Sequence, residues 1–292
     1  MKYLGIIGCP LGHSLSPFFQ QAALDHLGLD IRYEAWETSP DRLAERVDRL
    51  RAPDHLGANV TIPHKEAVIP FLNELDNPAR RTGAVNTIAN RQGRLYGYNT
   101  DVAGFLRALR EDAGFDPRGR DVLVLGAGGA ARAVAAALLD STAASLTITD
   151  IDPDRAASLV RDLGGQGQTV LRIVPPASAD LAAAASACQL LVNCTPIGMR
   201  HNPAENDTPI PPEIIQPGVL TFDIVYNPPE TVLMAAARQR GAHVLGGLSM
   251  LIYQGAASFQ IWTGREAPVD VMFAAARRAL GLPTTAIKGN ED

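Results

Sequence analysis

The chain has 292 residues, of which 46% are apolar and 20% charged, enough to build two hydrophobic cores rather than one. Its 26 basic and 31 acidic residues leave a net charge of −5, which argues against a general nucleic-acid or anionic-membrane binder but leaves room for a local basic pocket. The three cysteines, Cys9, Cys188 and Cys194, give no disulfide framework and no C-x-x-C zinc spacing, so no metal site is expected.

No apolar run approaches the length of a membrane span. The start, MKYLGIIGCPLG, is too brief for a signal segment and reads as a first strand, so a cytoplasmic location is expected. Lys2–Gly8 forms that strand. A Gly-, Pro- and Ser-containing loop follows, then a helix with Pro17 in its first turn and Ser16 as its N-cap. Ile31–Trp36 alternates as a strand, and Asp41–Arg51 has a helical period. Gly57–Thr61 is a short apolar strand ended by Pro63, with a helix expected from about Lys65. Two short strands, 84–89 and 95–97, meet at a turn through Gln92-Gly93.

The texture changes near Asp101. Beyond a helix over 102–113, strand and helix patterns alternate from Val122 to Asn193, which predicts a parallel sheet covered by helices. A Pro-rich irregular segment spans 195–217. A strand over 219–223, a helix over 229–240 and a short strand at 244–245 complete the alternation, and the rest is helical. The polar tail from Lys288 to Asp292 is expected to be disordered.

Within the alternating part, VLVLGAGGAARA runs from an apolar strand through Gly126-Ala127-Gly128-Gly129-Ala130-Ala131 into a helix. Gly126 can turn tightly, Gly128 lets backbone amides approach a pyrophosphate, and Ala131 lets helix and strand pack closely. The helix N-terminus then faces the phosphates. By itself such a run is also compatible with a plain tight turn; the surrounding strand–loop–helix–strand pattern favours a dinucleotide site. The next strand ends at Asp150, an acid placed to accept both ribose hydroxyls of NAD and to repel a 2′-phosphate. Asp152 adds a second negative charge, while Arg155 could meet a phosphate or pair with these acids. The balance favours NAD over NADP.

Further motifs converge around this loop: GCPLGHSLSP at 8–17, NVTIPHKE at 59–66, GAVNT at 83–87, GYNTD at 97–101, NCTPIGM at 193–199, DIVYNPPET at 223–231 and GGLSMLIYQG at 246–255. Together, and in this order, they resemble the shikimate dehydrogenase family over almost the whole chain. The resemblance implies an α/β protein of two domains. A Rossmann-type doubly wound nucleotide domain, 102–246, would be inserted in a split substrate domain, 1–101 plus 247–292.

It also implies reversible NAD(P)-dependent reduction of 3-dehydroshikimate to shikimate, on the route to the aromatic amino acids. Lys65 and Asp101 are then the catalytic pair. Ser14 and Ser16 would hold the substrate carboxylate, and Thr61, Asn86, Tyr226 and Gln254 would surround the ring. Gly126, Ala127, Gly128, Gly129, Ala130, Asp150, Arg155, Thr195, Ile224, Gly247 and Met250 are carried over to the cofactor.

The residue types suit these roles. Hydride addition to a ketone builds negative charge on oxygen, which an ammonium can stabilise and protonate. Serine hydroxyls donate to a carboxylate, and amide side chains offer donor and acceptor to a hydroxylated ring. Outside the motif, Lys65 would read as a solvated charge and Asp101 as the N-cap of the following helix. His13 is expected to organise its loop, His64 to be exposed, and Cys9 and Cys194 to be small buried packing groups.

Asp150-Ile151-Asp152 departs from the Asn-Arg-Thr common among NADP users and is similar to the NAD-using quinate/shikimate branch. Ser16 instead matches shikimate-preferring members. An NAD-dependent quinate/shikimate dehydrogenase is therefore the alternative enzyme. A nucleotide-sensing protein of the same fold has no need for both Lys65 and Asp101, and a methylene-tetrahydrofolate-type dehydrogenase leaves the Ser14/Ser16 loop without a purpose. The expected partner is a small molecule, with the protein acting as monomer or homodimer.

Overall fold

The computed structural model describes residues 1–164 and 167–284. The tail expected to be disordered lies outside them. In chain order the elements are β1 (Lys2–Gly8), α1 (Ser16–His26), β2 (Ile31–Glu37), α2 (Leu43–Arg49), β3 (Gly57–Val60), β4 (Glu74–Leu75), α3 (Asn77–Thr82), β5 (Thr87–Arg91), β6 (Arg94–Tyr98) and α4 (Asp101–Glu111). The chain continues with β7 (Asp121–Leu125), α5 (Gly129–Asp140), β8 (Ser145–Thr149), α6 (Pro153–Leu163), β9 (Val170–Ile173), α7 (Ala179–Ala187) and β10 (Leu190–Asn193). It ends with β11 (Leu220–Asp223), α8 (Val232–Gln239), β12 (His243–Gly246), α9 (Leu248–Thr263) and α10 (Val269–Ala279). None of the described helices is long and apolar enough to cross a membrane.

Two compact units emerge. The first comprises Met1–Asp76, Val85–Thr100 and Ile252–Asp292; the second comprises Asn77–Ala84 and Asp101–Leu251. This division differs from 1–101 plus 247–292 at one internal segment and at the boundary within α9. The segment is α3, which joins the nucleotide unit because Arg132 on α5 donates to the Thr82 carbonyl and Arg81 pairs with Asp140.

The first unit carries a mixed sheet in the order β2-β1-β3-β5-β6-β4. β1 runs parallel to β2 and β3, and the β3–β5–β6 pairings are antiparallel. The second unit carries a fully parallel sheet in the order β12-β11-β10-β7-β8-β9. Counted from its own first strand β7, that is the doubly wound order 3-2-1-4-5-6. β7 beyond Asp121 and β10 up to Asn193 are apolar runs, and they and β11, whose Thr221 and Asp223 are polar, are buried, as strands covered on both faces must be. Phe105 of α4 stacks on Phe222 of β11 at 5.2 Å between ring centres, which fastens α4 to this sheet.

Local expectations were overturned at three places. Ser16 is the first residue of α1 and Leu15 occupies the cap position, without a side-chain cap bond. No α-helix starts at Lys65. The chain makes turns there and then one 3₁₀ turn, Ile69–Phe71. Pro70 explains this, because its ring would collide with the Glu66 carbonyl and it has no N–H to donate back. His64, expected at the surface, is buried, as described below.

Candidate active site

In the first unit the loop after β1 and the loop after β3 lie side by side. Cys9 N donates to the Ile62 carbonyl at 3.0 Å and Thr61 N to the Ile7 carbonyl at 2.9 Å. Gly8 makes this possible: a Cβ there would sit 2.4 Å from Thr61 Cγ2. The Ser14/Ser16 loop and the Thr61–Lys65 segment are thereby held together. Ser16 is buried and Ser14 half-buried, with Ser14 Oγ accepting from Ser16 N at 3.3 Å. The Ser14 hydroxyl hydrogen is not used in that bond and can point to a ligand. Cys9 is only partly covered, against the expectation of a buried packing group, whereas Cys194, although its residue is partly covered, keeps a thiol that burial holds neutral.

Lys65 is half-buried and its backbone is clamped. Val85 N donates to the Lys65 carbonyl at 2.8 Å, and the neighbouring His64 is buried. His64 Nε2 lies 2.7 Å from the Thr38 carbonyl, which can only accept, so Nε2 carries a hydrogen. His64 thus pins the lysine-bearing segment to the end of β2.

Asn86 and Gln254 are brought together in a buried polar cluster. Asn86 Nδ2 donates to Thr100 Oγ1 at 2.8 Å and to Gln254 Oε1 at 3.2 Å. Asn86 Oδ1 accepts from Thr100 N at 2.8 Å and from Thr87 Oγ1 at 3.1 Å. Asn59 and Ser258 extend the cluster: Asn59 Nδ2 donates to Ser258 Oγ at 3.1 Å, and Ser258 Oγ lies 2.7 Å from Thr87 Oγ1. Asn59, Thr87, Thr100 and Ser258 were not singled out from the sequence. For Asn59 and Thr87 the signal was a polar side chain in a short, otherwise mostly apolar stretch; Thr100, in the connection after β6, and Ser258, in α9, carried none.

In the second unit the glycine loop closes β7 at the switch point of the sheet, where strand order reverses between β7 and β10. Gly126 has φ +97°, and a Cβ there would meet the Cys194 backbone at 3.2 Å, so the glycine loop and the Thr195 loop adjoin. Gly128 is the N-cap of α5 with no side-chain cap bond, and the first turn of α5 holds no acid. That helix end is open to a pyrophosphate. The Arg155 guanidinium lies near Gly128, 3.8 Å from a Cβ placed there. A Cβ on Gly247 would fall 2.0 Å from the Ile224 carbonyl oxygen, which places these two expected nicotinamide neighbours in contact. Met250 is buried, and Tyr226 is half-buried, its hydroxyl raised above the usual tyrosine range by burial.

Asp150 stands at the end of β8. Its Oδ2 accepts from Ala127 N at 2.6 Å and its Oδ1 from Asp152 N at 2.8 Å, so the carboxylate is anchored to the glycine loop. Asp152 has a structural task the sequence reading did not give it: it caps α6, accepting from Asp154 N at 3.0 Å and Arg155 N at 3.3 Å. Lys65 belongs to the first unit, while Asp101, buried, is the first residue of α4 in the second.

This doubly wound nucleotide unit, paired with a second α/β unit carrying a lysine and a polar cluster, defines a nicotinamide-nucleotide-dependent oxidoreductase acting on a CH–OH group. Residues 6–88 match the shikimate dehydrogenase substrate-binding domain, and residues 247–277 match the shikimate 5′-dehydrogenase C-terminal domain. A shikimate dehydrogenase (NADP(+)) of Moorella thermoacetica is 47% identical over 95% of this chain and 93% of its own length. The shikimate 5-dehydrogenase of Thermus thermophilus, solved with NADP(H) and shikimate, superposes with a TM-score of 0.85 at 38% identity, covering 96% of this chain and all of that one (100%). Quinate dehydrogenase from Corynebacterium glutamicum, solved with NAD, gives a TM-score of 0.86 at 31% identity over 96% of this chain and 99% of that one. The chain belongs to the shikimate dehydrogenase family.

Proposed function

We propose that this protein catalyses the reversible nicotinamide-nucleotide-dependent reduction of 3-dehydroshikimate to shikimate in the cytoplasm. The observation that carries this reading is the 47% identity with a shikimate dehydrogenase across 95% of the chain. Hydride transfer is the chemistry the nicotinamide supplies when bound. The protein's own groups do the rest.

Lys65 stabilises charge on the substrate oxygen and gives it a proton; in the oxidative direction the same amine removes one. Asp101 orients that ammonium and accepts from a ring hydroxyl. Ser14 and Ser16 donate to the carboxylate, and Thr61, Asn86, Gln254 and Tyr226 read the remaining hydroxyls. The Gly126–Ala130 loop with the open α5 N-terminus takes the pyrophosphate, Arg155 flanks it, and Thr195, Ile224, Gly247 and Met250 face the nicotinamide.

The geometry of Asp150 favours NAD. Two backbone N–H groups fix its carboxylate where a ribose diol would reach it, and a 2′-phosphate there would meet a like charge that cannot turn away. The same feature supports a second reading, an NAD-dependent quinate/shikimate dehydrogenase, alongside the likeness to quinate dehydrogenase. The deciding experiment is steady-state kcat/KM for shikimate and quinate, each with NAD and NADP. Shikimate with NAD should give the highest value. Turnover of neither substrate would overturn the proposal, and preference for quinate would favour the second reading.

A further inference from the structure

The motif DIVYNPPET opens with an aspartate that the reaction does not use. Asp223 closes β11 and is wholly buried, yet it sits among donors. Its Oδ1 accepts from Asn193 Nδ2 at 3.0 Å and from Val225 N at 3.0 Å, and its Oδ2 accepts from Thr231 Oγ1 at 2.7 Å. Each donor belongs to a different part of the switch-point rim.

Asn193 ends β10, and its Oδ1 takes both hydrogens that Thr195 offers, from N at 2.9 Å and from Oγ1 at 2.7 Å. Asn193 has no further freedom once Asp223 holds its amide nitrogen, so Thr195 is oriented at one remove. Val225 N is the middle peptide of Ile224-Val225-Tyr226, whose backbone is touched from the other side by Gly247 N donating to the Val225 carbonyl at 3.2 Å. Thr231 caps α8 through Met234 N at 3.2 Å and packs on Gly198, where an added Cβ would lie 3.3 Å from its own Cβ. Two loops, 193–199 and 223–231, therefore meet on one carboxylate.

We infer that Asp223 is a positioning residue for the nicotinamide end of the cofactor site, locking Thr195 and the Ile224–Tyr226 backbone into a single arrangement. The inference rests on the reading above that these two loops face the nicotinamide. A carboxylate suits the task because it accepts at both oxygens and never presents a donor to the three converging donors while ionised. The pyrophosphate and the adenosine ribose, which the glycine loop and Asp150 serve in that reading, are retained in ADP-ribose, and Asp150 is held by Ala127 N and Asp152 N rather than by the donors around Asp223, so binding at that part should be little affected.

The test compares binding of the reduced dinucleotide with binding of ADP-ribose, which lacks the nicotinamide end, in full-length wild type, Asp223→Ala, Asp223→Asn and Thr231→Val. Asp223→Ala should weaken the reduced dinucleotide about tenfold, equivalent to about 1.4 kcal/mol, and lower kcat, while ADP-ribose binds within about twofold of wild type. Asp223→Asn should restore most of the loss, because the amide oxygen still accepts from Asn193 and Val225 and its nitrogen can donate to the Thr231 hydroxyl. Thr231→Val removes one arm only and should shift the ratio of the two dissociation constants about threefold, which keeps the inference testable if Asp223→Ala does not fold. Equal weakening of both ligands, or no change in either, would overturn it. Thr195→Ala serves as the control for the underlying reading: if it leaves the reduced dinucleotide bound as in wild type, the loops do not face the nicotinamide, whatever Asp223 does.

Discussion

Asn86 and Gln254 stand 168 residues apart in the chain and share a buried hydrogen bond of 3.2 Å, Asn86 Nδ2 donating to Gln254 Oε1. The bond ties the residue just before β5 to α9 and closes the polar cluster. Asn86 also gives the buried Thr100 N its acceptor, at 2.8 Å. Asn86→Ala should thus cost stability as well as activity. It leaves a buried N–H without an acceptor, a loss of about 1–3 kcal/mol. Urea unfolding at neutral pH measures this; a variant as stable as wild type would show that Asn86 serves the ligand alone.

Lys65→Ala should lower kcat by roughly 10²–10⁴, the range for a positioned proton donor. The backbone clamp at Val85 and the His64–Thr38 bond do not involve the Lys65 side chain, so the fold should persist. Single-turnover rates with saturating substrate and cofactor give the readout. Near-wild-type turnover would remove Lys65 from the chemistry.

The sequence made the second unit readable because parallel strands buried on both faces announce themselves as apolar runs, and Gly126–Ala131 marks the first crossover. A Rossmann-type doubly wound domain followed from the resemblance, and the strands adopt the order 3-2-1-4-5-6. Less was legible where long-range contacts decide. His64 is polar and sits in a loop, so nothing local showed that the Thr38 carbonyl, 26 residues earlier, would bury it. α3 reads as part of the substrate half until Arg132 and Asp140, far along the chain, claim it. Asp152 reads as a cofactor-facing charge until the N–H groups of Asp154 and Arg155 are seen to occupy it.

Asp150→Ala should narrow the preference between NAD and NADP, since it removes the fixed charge that opposes a 2′-phosphate. It also removes the acceptor of Ala127 N, so affinity for both cofactors should fall somewhat. The ratio of kcat/KM for NAD to that for NADP is the measurement. An unchanged ratio would show that Asp150 supports the glycine loop without reading the ribose.

Asp223 also predicts a pH dependence of stability. Burial pushes its carboxyl up from the ordinary 3.8 to about 6, against the pull of Thr231, Val225 and Asn193. Cys194 is the titratable group that feels its charge; burial first, and that charge second, push the thiol far above its usual range, so it stays neutral. Between pH 3.8 and about 6 the folded state holds a proton that the unfolded chain has released. Stability therefore falls as pH rises through that window, by about 3 kcal/mol in all for a shift of this size at about 1.4 kcal/mol per unit. Carboxylates whose values are lowered, such as Asp54 and Asp162, act in the opposite sense. The contribution of Asp223 is consequently isolated only by difference. Unfolding free energies of wild type and Asp223→Asn at pH 4 and pH 7 supply it. The variant should gain on wild type at pH 7 relative to pH 4, because its amide does not ionise; a difference that stays constant between the two pH values would mean that Asp223 titrates alike in the folded and unfolded chains.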